Sequence, residues 1–136
     1  MAAREGSGEL TVTADEVRNA CEGMLRLQLY VVLTRPVKGM EPVMEMLERH
    51  LAYQIALEER GILFAAGPFW TDDEQAWRGE GMVVIRAEDL AAARAIAAED
   101  PMHVSGARTF EVRPWLVNEG HVTITLRHST RRFGLA

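Results

Sequence analysis

The feature that most constrains the fold is the order in which strand patterns and helix patterns follow one another. Between Leu25 and Val117 the order is strand, helix, strand, strand, helix, strand. In this βαββαβ arrangement the strands form one antiparallel sheet, and both helices pack on the same face of it. The sequence therefore predicts an α+β domain of the ferredoxin-like class.

Four strand patterns and two helix patterns define this order. The strand patterns, which are rich in β-branched and aliphatic residues, cover residues 25–34, 62–69, 81–86 and 109–117. The helix patterns, in which apolar residues recur every three or four positions, cover residues 42–60 and 88–99. We expect the second strand to break at Gly67-Pro68, and Pro114 indicates an edge or a bulge in the fourth strand.

Two elements extend this minimal domain. Thr13 and Glu16 have the spacing of a capping box and predict an N-terminal helix that ends near residue 22. Residues 121–127 alternate apolar and polar side chains, which predicts a fifth strand. The Asn-Glu-Gly turn before it indicates that this strand pairs with the fourth.

Composition and charge restrict the class of protein. Of the 136 residues, 48% are hydrophobic and 26% are charged, which is typical of a globular domain. The net charge of −5 disfavours nucleic acid as a partner, and no apolar stretch has the length of a membrane span. Cys21 is the only cysteine, so we expect a packed thiol in a cytoplasmic protein. The expected organisation is a frayed segment, a single domain and a C-terminal tail over residues 1–12, 13–128 and 129–136.

Two residues are the main candidates for chemistry. His50 interrupts an apolar stripe of the long helix between Met46 and Tyr53, although a histidine with one hydrogen bond at a packing border fits equally well. Asp100 follows the alanine-rich helix, where the helix dipole favours cations, although a solvated Asp-Pro helix stop also explains it. If the two meet, the carboxylate fixes the imidazole tautomer and leaves the other ring nitrogen free to move a proton.

Other candidates carry weaker signals. Gly67-Pro68 is either a turn that lines a pocket or an ordinary turn at the end of a strand. His103 is either a metal ligand together with the two candidates above or, as the pattern favours, a solvated loop histidine.

The remaining features do not indicate a cofactor. Trp70 and Trp77 flank an acidic loop, which is a lid, a partner contact or ordinary packed surface. The basic residues near the C-terminus are expected to be solvated. Because the sequence has no phosphate-binding glycine loop, no zinc pattern and no nucleophile elbow, we expect neither a cofactor nor a metal.

Several spaced motifs resemble the YCII-related family of dimeric α/β-barrel proteins. The stretch LERHLAYQIALEERGILFAAGP, residues 47–68, has the order His-Leu, helix, Gly, Gly-Pro. The stretch GMVVIRAEDLAAARAIAAEDP, residues 81–101, ends in the Asp-Pro of the family. Gly106 and Pro114-Trp115 fit the same order, so the resemblance covers roughly two thirds of the chain.

This resemblance implies a homodimer or dimer-based oligomer with an active site built on a His–Asp pair, which falls on His50 and Asp100. It implies lyase-type or isomerase-type proton transfer on a small cyclic or carbonyl metabolite, without a cofactor. The pocket would be lined by Gly67, Pro68, Tyr53, Met46, Pro101 and Met102.

Two other functions stay open at this stage. A ligand-binding or accessory module would have a closed apolar cavity filled by Met46, Tyr53 and Met102. A purely structural protein would bury His50 and bond it to main chain. An open cavity, with His50 in hydrogen-bond contact with Asp100, favours an enzyme.

Overall fold

A computed structural model describes residues 2–4 and 10–135 of the chain. The chain forms two compact units, of which one comprises residues 28–116 and the other the described parts of residues 1–27 and 117–136. The single domain over residues 13–128 and the tail over residues 129–136 stay predictions. The frayed segment over residues 1–12 falls partly on residues 1 and 5–9, which lie outside the described residues.

The strand order confirms the predicted α+β class. In chain order the elements are β1 (Ala2–Arg4), β2 (Leu10–Val12), α1 (Ala14–Ala20), β3 (Leu27–Pro36), α2 (Met40–Glu59), β4 (Leu63–Trp70), β5 (Trp77–Ile85), α3 (Leu90–Ala98), α4 (Pro101–Val104), β6 (Arg108–Val117), β7 (Ile124–Arg127) and β8 (Arg132–Leu135). The central sheet has the order β4-β5-β3-β6, and β5 is antiparallel to both β3 and β4. This is the ferredoxin-like order predicted from the βαββαβ pattern.

The core of the unit 28–116 lies on one face of this sheet. Tyr30 and Val32 of β3 alternate along the strand and pair with Ile85 and Val83 of β5, so all four side chains point to the same side. Ala93 and Ala97 of α3 are buried against them. Because alanine has a short side chain, these two positions allow the backbone of α3 to approach the sheet closely.

Helix α2 presents every seventh residue to the interior. Its buried residues are Val43, His50 and Leu57, which lie two helical turns apart on one stripe. The predicted helix began at Pro42, whereas α2 begins at Met40 and places that proline in its first turn. The periodicity therefore located the inward face, and His50 lies in the middle of it.

The predicted break in the second strand is wrong. β4 runs through Gly67 and Pro68, which pair with Met82 and Gly81 of β5. Proline is tolerated here because β4 is an edge strand, where the missing N–H removes no bond to a second neighbour. Two register shifts occur in this pair, one between Leu63 and Ala65 and the other between Pro68 and Trp70.

The proline in the fourth strand also lies in an edge strand. β6 forms the opposite edge of the sheet, as its proline indicated.

The fifth strand exists as β7, but its predicted pairing with the fourth is wrong. β7 instead pairs with β8 in a separate two-stranded sheet, with Arg127 opposite Arg132. Alternation predicts a strand but not its partner, and the short connection to β8 brings the nearer partner into place.

The described N-terminal residues form a pair of short strands followed by a helix. β1 and β2 pair antiparallel, with Ala2 opposite Val12. The capping box is confirmed, because the Thr13 hydroxyl accepts from the Glu16 N–H while the Glu16 carboxylate accepts from the Thr13 N–H. Among the described residues, no helix is long and apolar enough to cross a membrane.

Replacing Met102 by alanine should destabilise the fold strongly. Met102 is fully buried and packs with Val43 and Ala107 below α2. Removing a buried methionine side chain leaves a cavity and costs about 2–5 kcal/mol of unfolding free energy. Val104→Ala, in the same short helix but 72% exposed, should change it by less than about 0.5 kcal/mol in urea unfolding. Equal losses in the two variants would show that Met102 is not a core residue.

Candidate functional site

The structure brings His50 and Asp100 into direct contact. His50 Nδ1 lies 2.7 Å from one carboxylate oxygen of Asp100 and 2.9 Å from the other. The two residues are 7% and 5% exposed, so the pair is almost completely removed from water. A hydrogen bond to an ionised carboxylate is stronger in such surroundings than at the surface.

Asp100 owes its position to a short helix that the sequence analysis did not foresee. The chain does not simply stop at the end of α3, because Asp100 is the N-cap of α4 and Pro101 is the first residue of that helix. One oxygen of Asp100 accepts from the Met102 N–H at 2.9 Å. The capping role explains a carboxylate at this position, so the argument from an unfavourable dipole of α3 was wrong.

The Asp100 contact determines which nitrogen of His50 is free for chemistry. A carboxylate only accepts hydrogen bonds, so Nδ1 carries the hydrogen and Nε2 carries the lone pair of the neutral imidazole. Gln54, one turn along α2, donates its side-chain N–H to Nε2 at 2.8 Å. The sequence analysis missed Gln54, although its spacing of four residues from His50 places it on the same helix face. Both ring nitrogens of His50 are therefore bonded to side chains.

A partly open cavity lies next to this pair and between α2 and the sheet. Its volume is about 370 Å³, within the range of small-molecule sites. Its polar lining comes from Thr34, His50, Gln54 and Arg108, and the rest is largely apolar. Gly67 and Pro68 line the wall contributed by β4.

The other four predicted pocket residues do not line this cavity. Met46 and Met102 pack in the cluster around Val43, and Pro101 begins α4. Tyr53 donates its hydroxyl to the Ile96 carbonyl at 2.6 Å. Helical periodicity places these side chains on the inward face, but it does not show that α3 and α4 cover that part of the face.

Burial also changes the chemistry of Tyr53. Loss of solvation raises the pKa of its hydroxyl, and the negative charges of Glu99 and Asp100 raise it further. The hydroxyl is consequently a fixed donor between α2 and α3, which is a structural position.

Arg108 is a cavity residue that the sequence analysis did not single out. It begins β6, is 5% exposed and lies with its guanidinium carbon 5.6 Å from the centre of the Trp77 ring. Burial lowers the pKa of its guanidinium, and the charge of Asp100 opposes that change. No pattern in the sequence distinguishes this arginine from the exposed ones, because its burial follows from the packing of α4 and β6.

Both tryptophans that flank the acidic loop line the cavity. Trp77 donates its ring N–H to the Glu80 carbonyl at 2.8 Å. Within the loop, the Thr71 hydroxyl donates to Asp73 at 2.6 Å, and this bond holds the pKa of the Asp73 carboxyl below its usual value. The loop is thus fastened by its own hydrogen bonds, while a role as lid or partner contact stays a prediction.

His103 is not the solvated loop histidine that the pattern favoured. It is partly buried in α4, donates from Nδ1 to the Ala97 carbonyl and accepts from the Thr34 hydroxyl at Nε2, 2.9 Å away. Both ring nitrogens are therefore engaged. No three side chains of metal-ligand type converge anywhere in the described ranges, so the alternative of a cluster with His50 and Asp100 has no geometric support.

Acidification should weaken the fold through His103. Burial lowers the pKa of its imidazole. The bond to the Ala97 carbonyl and the charge of Asp100 raise this pKa by smaller amounts, and the positive charges of Arg108 and of protonated His50 lower it. The unfolded chain, in which histidine titrates near 6.5, takes up the proton first. The contribution of His103 to the free energy of unfolding is therefore complete above about pH 6.5. It decreases as the pH falls towards the pKa of His103 in the folded protein, which is lower.

Urea unfolding between pH 7.5 and 5 measures this effect. His103→Asn should reduce the loss of stability on acidification, because the titrating group is gone while an amide donor for Ala97 remains. His121→Asn, which removes an exposed histidine, should leave the loss unchanged. A pH dependence that is identical in wild type and His103→Asn would contradict the assignment.

Comparisons with known proteins complete the description. The model of the YCII-related domain family matches residues 28–116. A solved structure with a similar course of the chain is 5-chloro-2-hydroxyhydroquinone dehydrochlorinase from Burkholderia phenoliruptrix, in complex with 2,5-dihydroxybenzoquinone. The similarity has a TM-score of 0.49 and 16% sequence identity, and covers 64% of this chain and 92% of that one. No curated protein matches the sequence.

Proposed function

Because the chain belongs to the YCII-related family, we propose that it is a small-molecule enzyme in which His50 transfers a proton. The observation that carries the proposal is the buried contact of His50 Nδ1 with Asp100 beside a cavity of ligand size. It leaves Nε2 as the acceptor for a proton from a bound molecule. His50 is then the general base, and Asp100 is the positioning residue that fixes its tautomer and stabilises the imidazolium form.

The reaction that fits this site is proton abstraction at a carbon next to a carbonyl group. The C–H proton moves to Nε2, the electron pair of that bond forms a C=C bond, and the π electrons of the C=O bond move onto oxygen, which becomes negatively charged. Return of the proton at another carbon gives isomerisation, and departure of a leaving group with its electron pair gives elimination. Neither outcome needs a redox partner, which agrees with the expectation of no cofactor.

Gln54 sets a condition on this mechanism. Its amide occupies the Nε2 lone pair, so a substrate must displace that hydrogen bond before it can donate a proton. Gln54 and His50 both line the cavity, so a ligand inside it reaches both groups.

Hydrogen–deuterium exchange tests the proposal without knowledge of the full reaction. Small ring compounds that carry carbonyl or hydroxyl groups are incubated with the protein in D₂O, and deuterium incorporation at carbon is followed by NMR. We expect catalysed exchange for at least one compound, with loss of exchange in His50→Asn. Exchange that persists in His50→Asn, or a panel that binds without any exchange, would contradict proton transfer.

The Gln54 contact also favours a second candidate, a ligand-binding or accessory module. In such a protein the Gln54–Nε2 bond persists with ligand bound, and no proton moves. The same experiment separates the two functions, because a module binds compounds of the panel without exchanging their protons.

A homodimer is part of the proposal. Both long helices pack on one face of the sheet, and alternation along β3 directs the partly exposed Val31 and Leu33 to the other face. A second copy would cover apolar residues there. Sedimentation equilibrium should give a molecular mass of about twice the 15.2 kDa of one chain, and the mass of one chain would contradict the homodimer.

A cytoplasmic location, which rests on the cysteine-poor composition, is also proposed.

A further inference from the structure

We propose that Arg108 binds an anionic oxygen of the ligand, so that the cavity selects ring-sized anions over neutral molecules of the same shape. This inference deepens the proposed function, on which it rests for the identity of the site. It begins from an anomaly in the packing. Arg108 is 5% exposed, lines the same cavity as His50 and has a buried Nε that lacks a hydrogen-bond partner among the described residues.

A buried guanidinium N–H without an acceptor is costly, because it has lost its hydrogen bond to water and gained none from the protein. Within the described part of the chain, Arg108 makes no ion pair. Asp100 contributes an attractive field, but both of its oxygens contact His50 and one also accepts from Met102. The Trp77 ring offers only a cation–π contact at 5.6 Å. The protein therefore supplies partial compensation, and a hydrogen-bond acceptor is missing.

The chemistry of the missing acceptor follows from the guanidinium itself. Arginine presents a planar set of donors that matches two oxygens of a carboxylate, or one ionised ring oxygen, better than it matches a neutral group. Trp70 and Trp77 supply flat aromatic walls, and the volume of about 370 Å³ accommodates a substituted ring. The indicated ligand is a small ring compound with an anionic oxygen.

The same position serves the proton transfer proposed above. When His50 removes a proton next to a carbonyl group, the π electrons of the C=O bond move onto the oxygen of the ligand, where negative charge grows. A guanidinium that is 5% exposed and held in place by its packing stabilises that charge with little reorganisation. The two polar groups thus have different tasks, since His50 takes the proton and Arg108 holds the oxygen that becomes charged.

Binding of benzoate and its neutral analogue benzamide tests the inference independently of turnover. Chemical-shift titrations are made with wild type, Arg108→Gln and Arg108→Lys. We expect wild type to bind benzoate at least about 10-fold more tightly than benzamide, and Arg108→Gln to remove the preference. Arg108→Lys keeps the charge but not the planar fork, so an intermediate preference is expected. Arg113→Gln, an exposed arginine of the same strand, should leave the preference intact.

Equal binding of the two probes by wild type would overturn the inference, as would no binding of either or a preference that survives Arg108→Gln. The wild-type comparison decides even if a variant fails to fold. His50→Asn separates this inference from the proposed function. A wild-type protein that prefers benzoate but exchanges no proton of any compound would refute only the enzyme. Exchange that is lost in His50→Asn but unchanged in Arg108→Gln would refute only the anion site.

Discussion

Replacing His50 by asparagine should lower kcat by about 10²- to 10⁴-fold on any compound for which wild type catalyses exchange. Asparagine places an amide N–H close to the position of Nδ1, so Asp100 keeps a donor in its buried site. It has no group at the position of Nε2, so the acceptor for the substrate proton is lost. Initial rates under saturating substrate measure the effect, and an unchanged kcat would exclude His50 as the base.

The stability of the variants separates lost chemistry from lost folding. In His50→Ala the Asp100 carboxylate stays buried without its partner, and breaking a buried pair in this way costs about 3–5 kcal/mol. In His50→Asn the amide N–H replaces the imidazole as the partner of Asp100. The loss of unfolding free energy, measured in urea, should therefore be clearly smaller than in His50→Ala. His128→Asn, which changes an exposed histidine, should alter neither kcat nor stability. A low kcat in a folded His50→Asn protein is therefore the decisive result.

The sequence could predict the fold because its evidence is local and periodic. The spacing of apolar residues in α2 and the alternation in β3 each specify one face of one element, and their order specifies the βαββαβ topology. The partner of β7 could not be predicted in the same way. Its alternating residues satisfy any neighbouring strand, and the choice of β8 depends on a turn that the pattern does not specify.

The candidate site was predictable to the same limited extent. His50 and Asp100 attract notice because each contradicts the local preference of its pattern, and the fold then places their elements near each other. Gln54 and Arg108 contradict nothing locally. Each looks like an ordinary polar residue until the packing of α2, α4 and β6 shows which of them faces the cavity. Met46 and Tyr53 are the converse case, since their stripe faces inward but is covered.

Replacing Asp100 by asparagine should lower kcat by up to about 10⁴-fold while preserving the start of α4. Asparagine caps helices as well as aspartate does, so the bond from Met102 N–H is kept. The amide nitrogen, however, replaces the carboxylate oxygen that lies 2.7 Å from His50 Nδ1, so the negative charge is lost and the capping oxygen at 2.9 Å is the remaining acceptor. The imidazolium form, which arises when Nε2 takes up a proton, then lacks the charge that stabilises it. Rates and unfolding curves of the same preparation measure both effects.

Asp89 provides the matched control, because it is an N-cap without a histidine partner. Its side chain accepts from the Ala92 N–H at 2.8 Å at the start of α3 and is exposed. Asp89→Ala should cost about 1 kcal/mol and leave kcat unchanged. Asp100→Ala loses the same kind of cap and, in addition, leaves the buried Nδ1–H of His50 without an acceptor, which costs about 1–3 kcal/mol more. The difference between the two alanine variants reports the His50–Asp100 bond. If Asp100→Asn kept full kcat while folding normally, that bond would be structural and His50 would act without it.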